Sequence, residues 1–115
     1  DVVNATISGL EDEAANGGVF NVGTGEAIDV ITVANELIKN YQSNTVINIS
    51  GNYRLGDIRH NYADLSKIKS ILGFTPKYNF STGIKKFTDW VTTQEVNESK
   101  YESSINEMKK KGLLK

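Results

Sequence analysis

Apolar residues recur every three or four positions in several stretches of this chain, the spacing that buries one face of a helix. Near the start, Val3, Ile7 and Leu10 follow this spacing. A second stretch follows Asp29, whose carboxylate can cap a helix that runs to about residue 41. Its apolar positions are Ile31, Ala34, Leu37, Ile38 and Tyr41. Both stretches are predicted to be helices.

Two further helices are predicted in the second half of the chain. Asp64 can cap a helix from Leu65 to Leu72, which Gly73 would end. Ser81 can cap the next helix, with Phe80 placed to pack as a hydrophobic staple. The apolar positions of that helix are Ile84, Phe87, Trp90 and Val91, and Trp90 is expected in the core.

The C-terminal tail, residues 94–115, is mostly polar. A helix is expected over residues 95–115, with Tyr101, Ile105 and Met108 on one face. Three lysines at positions 109–111 suit the negative end of the helix dipole, so we assign them no ligand.

Two apolar runs lack a helical period, at residues 19–22 and 45–49, and are predicted to be short buried strands. A third short extended piece is expected at residues 60–63. Together with the helices, these runs predict a small α+β domain of about five helices and two or three short strands.

Composition excludes several classes of function. Thirteen basic and 14 acidic residues give a net charge of −1, so nothing suggests binding to nucleic acid or to an anionic membrane. The chain has no cysteine, which excludes disulfides and cysteine zinc sites. No apolar run approaches the ~20 residues that span a bilayer. A cytoplasmic location is expected.

The side chains with the most specific chemistry are clustered in one loop. Both arginines and the only histidine fall between Arg54 and His60. Guanidinium groups bind phosphate or carboxylate through parallel hydrogen bonds, so this loop can bind an anion. In that interpretation Arg54 binds phosphate and Asp57 accepts hydrogen bonds from sugar hydroxyls. Spacing alone equally allows Arg54 and Arg59 to pair with Asp57, Asp64 or another surface carboxylate.

Catalytic and cofactor signals are weak. Residues 23–25 (Gly-Thr-Gly) precede a helix as a dinucleotide-binding turn does, but the third small residue of that fingerprint would fall at Ile28. The acidic residue expected about 20 positions later would fall at Asn44 or Thr45. No tyrosine has a lysine four residues later. We therefore assign no catalytic residue, cofactor-binding residue or metal ligand to this chain.

Several motifs occur in a specific order: FNVGTG at 20–25, YRLGDIRH at 53–60, YADLSK at 62–67 and ILGFTP at 71–76. With a following helix that ends in Asp89 and Trp90, this order resembles the C-terminal part of NAD-dependent nucleotide-sugar epimerases and dehydratases. These are extended short-chain dehydrogenase/reductases, and the chain resembles the UDP-glucose 4-epimerase and dTDP-rhamnose 4-epimerase types. The resemblance covers residues 1–93, which would form a substrate-binding domain followed by the tail.

The resemblance implies roles for single residues. Arg54 would contact the nucleotide pyrophosphate and Asp57 the ribose. Arg59 is a third substrate-binding candidate, although a structural ion pair is an equal alternative for it. His60 is expected to be structural, and Asp64 is expected to cap a helix without binding a ligand.

The resemblance also implies that the catalytic half of the enzyme lies outside this chain. The NAD turn, the catalytic serine or threonine and the tyrosine/lysine pair are missing, so NAD is expected in the parent enzyme and none on this chain. The expected partners are a nucleotide-diphosphate sugar and an N-terminal Rossmann domain, and homodimerisation of the parent is left open. The alternatives are a dehydratase of the same family, a free-standing nucleotide-binding module, or a structural or dimerisation domain.

Overall fold

The regular structure of the chain is helical. The computed structural model describes residues 1–95 and 98–115. None of the helices in these ranges is long and apolar enough to cross a bilayer. The described elements are α1 (Val2–Glu11), a 3-10 helix (Glu13–Ala15), α2 (Val30–Asn40), α3 (Ser66–Leu72), α4 (Phe80–Val91) and α5 (Tyr101–Lys110).

Local sequence signals begin and end the first three α-helices largely as predicted. At α2, the carboxylate of Asp29 accepts a hydrogen bond from the backbone N–H of Thr32 at 2.8 Å, which confirms the predicted cap. At α3, Gly73 adopts a φ of +61°, the left-handed conformation that ends a helix. Helix α1 is also confirmed, with Asp1 at its N-cap.

Helix α4 differs from the prediction at its start and on its surface. Its N-cap residue is Asn79 and not Ser81, because the Asn79 side chain accepts a hydrogen bond from the backbone N–H of Thr82 at 2.9 Å. The helix therefore begins earlier than predicted. Phe80 is consequently the first helical residue. The prediction of a core position for Trp90 is wrong, since that side chain is 57% exposed and packs only obliquely against Phe87.

Helix α5 is shorter than the helix predicted for residues 95–115, of which residues 96 and 97 lie outside the described part of the chain. It ends with Lys109 and Lys110 in its last turn, as the dipole argument predicted. Gly112 follows with a φ of +67°, and the Leu113 N–H donates to the Met108 carbonyl at 2.9 Å. The chain thereby turns away from the helix axis.

The prediction of an α+β fold is wrong. Within the described residues there is no sheet, and the only β-type pairing is an isolated antiparallel bridge between Arg54 and Leu114. The runs at 19–22, 45–49 and 60–63 form no strands. A strand needs a neighbouring segment that hydrogen-bonds to its backbone, and in the described ranges no backbone hydrogen bond joins these runs to another segment.

The small core brings α1, α3 and the segments beside them together. Ala5, Leu65, Ile68 and Phe74 are buried there, and half-buried apolar side chains pack around them. Two of these are Phe20 and Val22, whereas Val19 is 82% exposed and Val46, in the second run, is 86% exposed. Elsewhere α2 packs against α4, and the 3-10 helix contacts both α1 and α3.

The chain is extended for its size. Its accessible surface is 9554 Å², whereas a compact monomer of 12.7 kDa exposes about 6,200 Å². Its radius of gyration is 18.1 Å, against about 13 Å for a compact domain of this length. Large apolar side chains remain exposed along α1, α2 and the loops. The fold therefore buries much less apolar surface than a compact domain of the same length.

Candidate functional site

Arg54 and Asp57 lie at the two ends of one tight turn. The Asp57 N–H donates to the Arg54 carbonyl at 3.2 Å, which closes a four-residue β-turn. Gly56, the third residue of this turn, has a φ of +88°. A type II turn requires a positive φ at that position, which glycine adopts without steric cost. The spacing of arginine, glycine and aspartate thus places a cation and a carboxylate at the two ends of one turn.

The turn opens onto a cleft of ≈ 810 Å³. One part of the lining is charged and comes from the loop, and the other is apolar and comes mainly from α5 and the C-terminus. The lining residues are Asn52, Tyr53, Arg54, Asp57, Ile58, Arg59, Ile105, Met108 and Leu114. All three substrate-binding candidates, Arg54, Asp57 and Arg59, line this cleft. Such a mixture of charged and apolar walls suits a ligand with an anionic part and a flat organic part.

Neither arginine forms an ion pair in the described part of the chain. The salt bridges found there join lysines to carboxylates three or four positions away in the chain, as in Lys85–Asp89 of α4 at 2.9 Å. The others are Lys39–Glu36 and Lys111–Glu107. The alternative of surface ion pairs for Arg54 and Arg59 therefore finds no partner among the described carboxylates. Their guanidinium groups are available to an anionic ligand.

Arg59 and His60 also face a second depression. It has a volume of ≈ 550 Å³ and lies between the loop and the start of α2. Arg59 lines both this depression and the larger cleft, whereas His60 lines only the smaller one. The structure therefore places Arg54 and Asp57 in the lining of the larger cleft alone, whereas Arg59 lines both the cleft and the smaller depression.

The glycine turn at residues 23–25 is packed against the protein itself. A Cβ atom at Gly23 would lie 3.2 Å from the Cβ of Ala63. Gly25 has a φ of +77°, and a Cβ there would lie 3.4 Å from the Leu65 side chain. These glycines therefore serve chain packing and a backbone turn. That this turn binds no dinucleotide rests on the fingerprint's third small residue falling at Ile28, and it stays a prediction.

Asp64 supports the start of α3. Its carboxylate accepts hydrogen bonds from the Ser66 N–H at 2.9 Å and the Ser66 hydroxyl at 2.6 Å. These bonds, with a smaller contribution from Lys69, lower the pKa of the Asp64 carboxyl. The helix begins at Ser66 and its N-cap is Leu65, so Asp64 lies one residue before the predicted cap position and supports the first helical residue from there. That Asp64 binds no ligand stays a prediction.

Sequence reasoning missed the apolar wall of the cleft. Ile105 and Met108 were assigned to one face of the tail helix, without a partner for that face. Leu114 was not singled out at all. A signal was present, because an apolar pair follows Gly112 in an otherwise polar tail. Such a pair after a helix-ending glycine indicates a segment that packs back on the protein.

Comparison with known proteins identifies related enzymes over part of their length. The chain is 28% identical over 94 residues to dTDP-L-rhamnose 4-epimerase of Burkholderia thailandensis, covering 82% of this chain and 26% of the relative. It is 29% identical over 85 residues to UDP-glucuronate 4-epimerase 3 of Arabidopsis thaliana, covering 71% and 19%. These similarities support a relationship with nucleotide-sugar epimerases.

A third relative is an uncharacterized protein of Methanocaldococcus jannaschii, 32% identical over 72 residues, covering 63% of this chain and 22% of the relative. The chain spans between 19% and 26% of the length of these curated relatives. No protein-family model matches the chain. No solved structure matches it either.

Proposed function

We propose that this chain is the substrate-binding portion of an NAD-dependent nucleotide-sugar epimerase that acts on UDP- or dTDP-sugars. The observation that carries the proposal is the turn with Arg54 and Asp57 at its ends, both lining one cleft. The similarity to relatives named as dTDP-sugar and UDP-sugar 4-epimerases supports nucleotide sugars as the class of substrate. The chain would bind the nucleotide diphosphate.

The chemistry of the two side chains matches the two parts of such a ligand. Arg54 would donate parallel hydrogen bonds to the diphosphate, with Arg59 as a second cation at the edge of the cleft. Asp57 is an acceptor and would bind ribose hydroxyls. Gly56 keeps the turn free of a Cβ and so allows the ligand to approach the backbone.

Catalysis belongs, in this proposal, to a part of the enzyme that precedes this chain. The parent enzyme would hold NAD in a Rossmann domain, oxidise a hydroxyl of the sugar and reduce it again with changed configuration. The isolated chain would bind substrate weakly and would be inactive. Weak binding is expected because a partial site leaves ligand groups unpaired and lacks preorganisation. A dehydratase of the same family is the alternative within this class.

A structural or dimerisation domain is a second candidate function. The extended shape and the exposed apolar residues of α1 favour it, since such surfaces commonly bind other protein segments. Light scattering distinguishes it from the first proposal. A monomer at high concentration would count against dimerisation through this surface.

Nuclear magnetic resonance titration of the 115-residue chain with UDP, dTDP and UDP-glucose tests whether the cleft binds a nucleotide diphosphate. We expect chemical-shift changes confined to the amides of residues 53–60 and neighbours in the cleft. Arg54→Ala should abolish them. Lys109→Ala, which removes the same charge outside the cleft lining, should leave them unchanged.

Absence of shift changes at millimolar ligand would contradict nucleotide binding by this chain. Equal shifts in the wild-type chain and the Arg54→Ala variant would contradict the assigned role of Arg54. Submicromolar affinity would contradict the partial site and favour a free-standing nucleotide-binding module.

A further inference from the structure

The last three residues of the chain hold the loop that carries Arg54. The Tyr53 N–H donates to the Lys115 carbonyl at 2.8 Å, and the Lys115 N–H donates to the Tyr53 carbonyl at 2.9 Å. The Leu55 N–H donates to the Leu113 carbonyl at 2.7 Å. Within the described ranges, no other hydrogen bond joins residues 52–60 to a distant part of the chain. The position of the loop therefore depends on residues 113–115.

The pairing sets the direction of the side chains. Arg54 and Leu114 are the directly opposed pair, flanked on both sides by the backbone hydrogen bonds. Side chains in such a pair point to the same face of the two segments and lie close together. Arg54 and Leu114 both line the 810 Å³ cleft. Leu113, one residue earlier, is placed on the opposite face and is absent from the cleft lining.

Helix α5 anchors this terminal segment. The Leu113 N–H donates to the Met108 carbonyl, and the left-handed Gly112 lets the chain turn back toward the loop. Met108 and Ile105 of the same helix line the cleft beside Leu114. The helix and the terminal segment thus form one continuous wall opposite the charged turn.

We propose that residues 113–115 are a positioning segment of the ligand site, which holds Arg54 in place to bind a nucleoside diphosphate. This inference rests on the proposed function of the cleft. The physical reason is preorganisation: a loop without long-range backbone bonds must be ordered when the ligand binds, which weakens the affinity. The segment binds no phosphate itself and acts through the backbone of Tyr53 and Leu55.

The test compares the 115-residue chain with a variant that lacks residues 113–115. We expect the truncated chain to bind UDP about tenfold more weakly, because the Arg54 loop loses its support. The amides of Tyr53 and Leu55 should exchange their hydrogens faster. Thermal unfolding should change little, since the buried residues in the described part of the chain lie between Ala5 and Thr88. Lys115→Ala keeps the backbone bonds and should retain wild-type affinity.

A matched pair of point variants tests the same inference without truncation. Leu114→Glu places a carboxylate opposite Arg54 and should weaken UDP binding strongly. Leu113→Glu makes the same change in charge on the opposite face and should have little effect.

Equal affinity of the truncated and wild-type chains would overturn the inference, and so would equal effects of the two glutamate variants. Failure of the proposed function gives a different result from failure of this inference. If the proposed function is wrong, the wild-type chain itself does not bind UDP, and the inference is then wrong as well.

Discussion

The carboxylate of Asp1 accepts a hydrogen bond from the backbone N–H of Tyr78 at 3.0 Å, across 77 positions of the chain. The second carboxylate oxygen accepts from the N–H of Lys77 at 3.1 Å. Asp1 is also the N-cap residue of α1. One side chain therefore ties the start of α1 to the segment that leads into α4.

Replacing Asp1 tests how much this connection stabilises the fold. We expect Asp1→Ala to lower the free energy of unfolding by about 1 kcal/mol, since two backbone donors lose their acceptor. Asp1→Asn retains one acceptor oxygen and should have a smaller effect. Chemical denaturation measures both variants, and a wild-type midpoint for Asp1→Ala would contradict the assignment.

Ile68 and Ile71 of α3 provide a matched pair for the core. Ile68 is 2% exposed and Ile71 is 41% exposed. Ile68→Ala is expected to cost about 2–5 kcal/mol because it leaves a cavity, and Ile68→Val about 0.5–1.5 kcal/mol. Ile71→Ala should cost less than Ile68→Ala. Unfolding curves followed by circular dichroism give the comparison, and equal losses at the two positions would show that the core lies elsewhere.

The helices could be predicted from the sequence because their signals are local. Asp29 and Gly73 act within one helical turn, so the chain segment itself contains the information. The cap of α4 was misassigned because Asn79 and Ser81 are both good caps. Only the structure shows that Asn79 contacts Thr82.

The strands could not be predicted because pairing is not a local property. Residues 19–22 have the composition of a strand, yet a strand forms only where another segment supplies hydrogen bonds. The converse holds at Arg54, which pairs with Leu114 although neither segment has a strand pattern. The charged half of the cleft was predicted from residue chemistry. Its apolar half was missed because it comes from the distant terminus.

The stability contributed by Asp64 should depend on pH. Hydrogen bonds from the Ser66 hydroxyl and N–H lower the pKa of this carboxyl from its ordinary value of 3.8. A carboxyl with a lower pKa in the folded state stabilises the fold when it is charged. Its contribution is therefore present above about pH 3.8 and is lost as the pH falls through the lowered folded value.

We expect Asp64→Ala to be less stable than the wild-type chain at neutral pH, with a difference that shrinks under acidic conditions. Unfolding measured across this range tests the prediction. A difference that stays constant with pH would show that the effect of the variant is not due to the charge of the carboxylate.

Lys86 should control the ionisation of Tyr78. Its Nζ atom donates to the Tyr78 hydroxyl oxygen at 2.9 Å, and this hydrogen bond and charge lower the pKa of Tyr78. Lys86→Met should therefore raise the pKa toward its ordinary value of 10.0. Lys85→Met is the control, because Lys85 pairs with Asp89 instead. Ultraviolet absorbance of tyrosinate reports the change, and an identical titration in both variants would contradict the contact.

Arg54→Lys separates the geometry of the proposed phosphate contact from its charge. Lysine keeps the positive charge but lacks the planar fork that donates two parallel hydrogen bonds to a diphosphate. We expect UDP affinity to fall about tenfold in Arg54→Lys and further in Arg54→Ala. UDP binding should also depend more strongly on salt concentration in Arg54→Lys than in Arg54→Ala, since lysine preserves the positive charge. Wild-type affinity for UDP in Arg54→Lys would show that the cleft needs only a cation at this position, and the turn at residues 54–57 would then lose its role in orienting a guanidinium group.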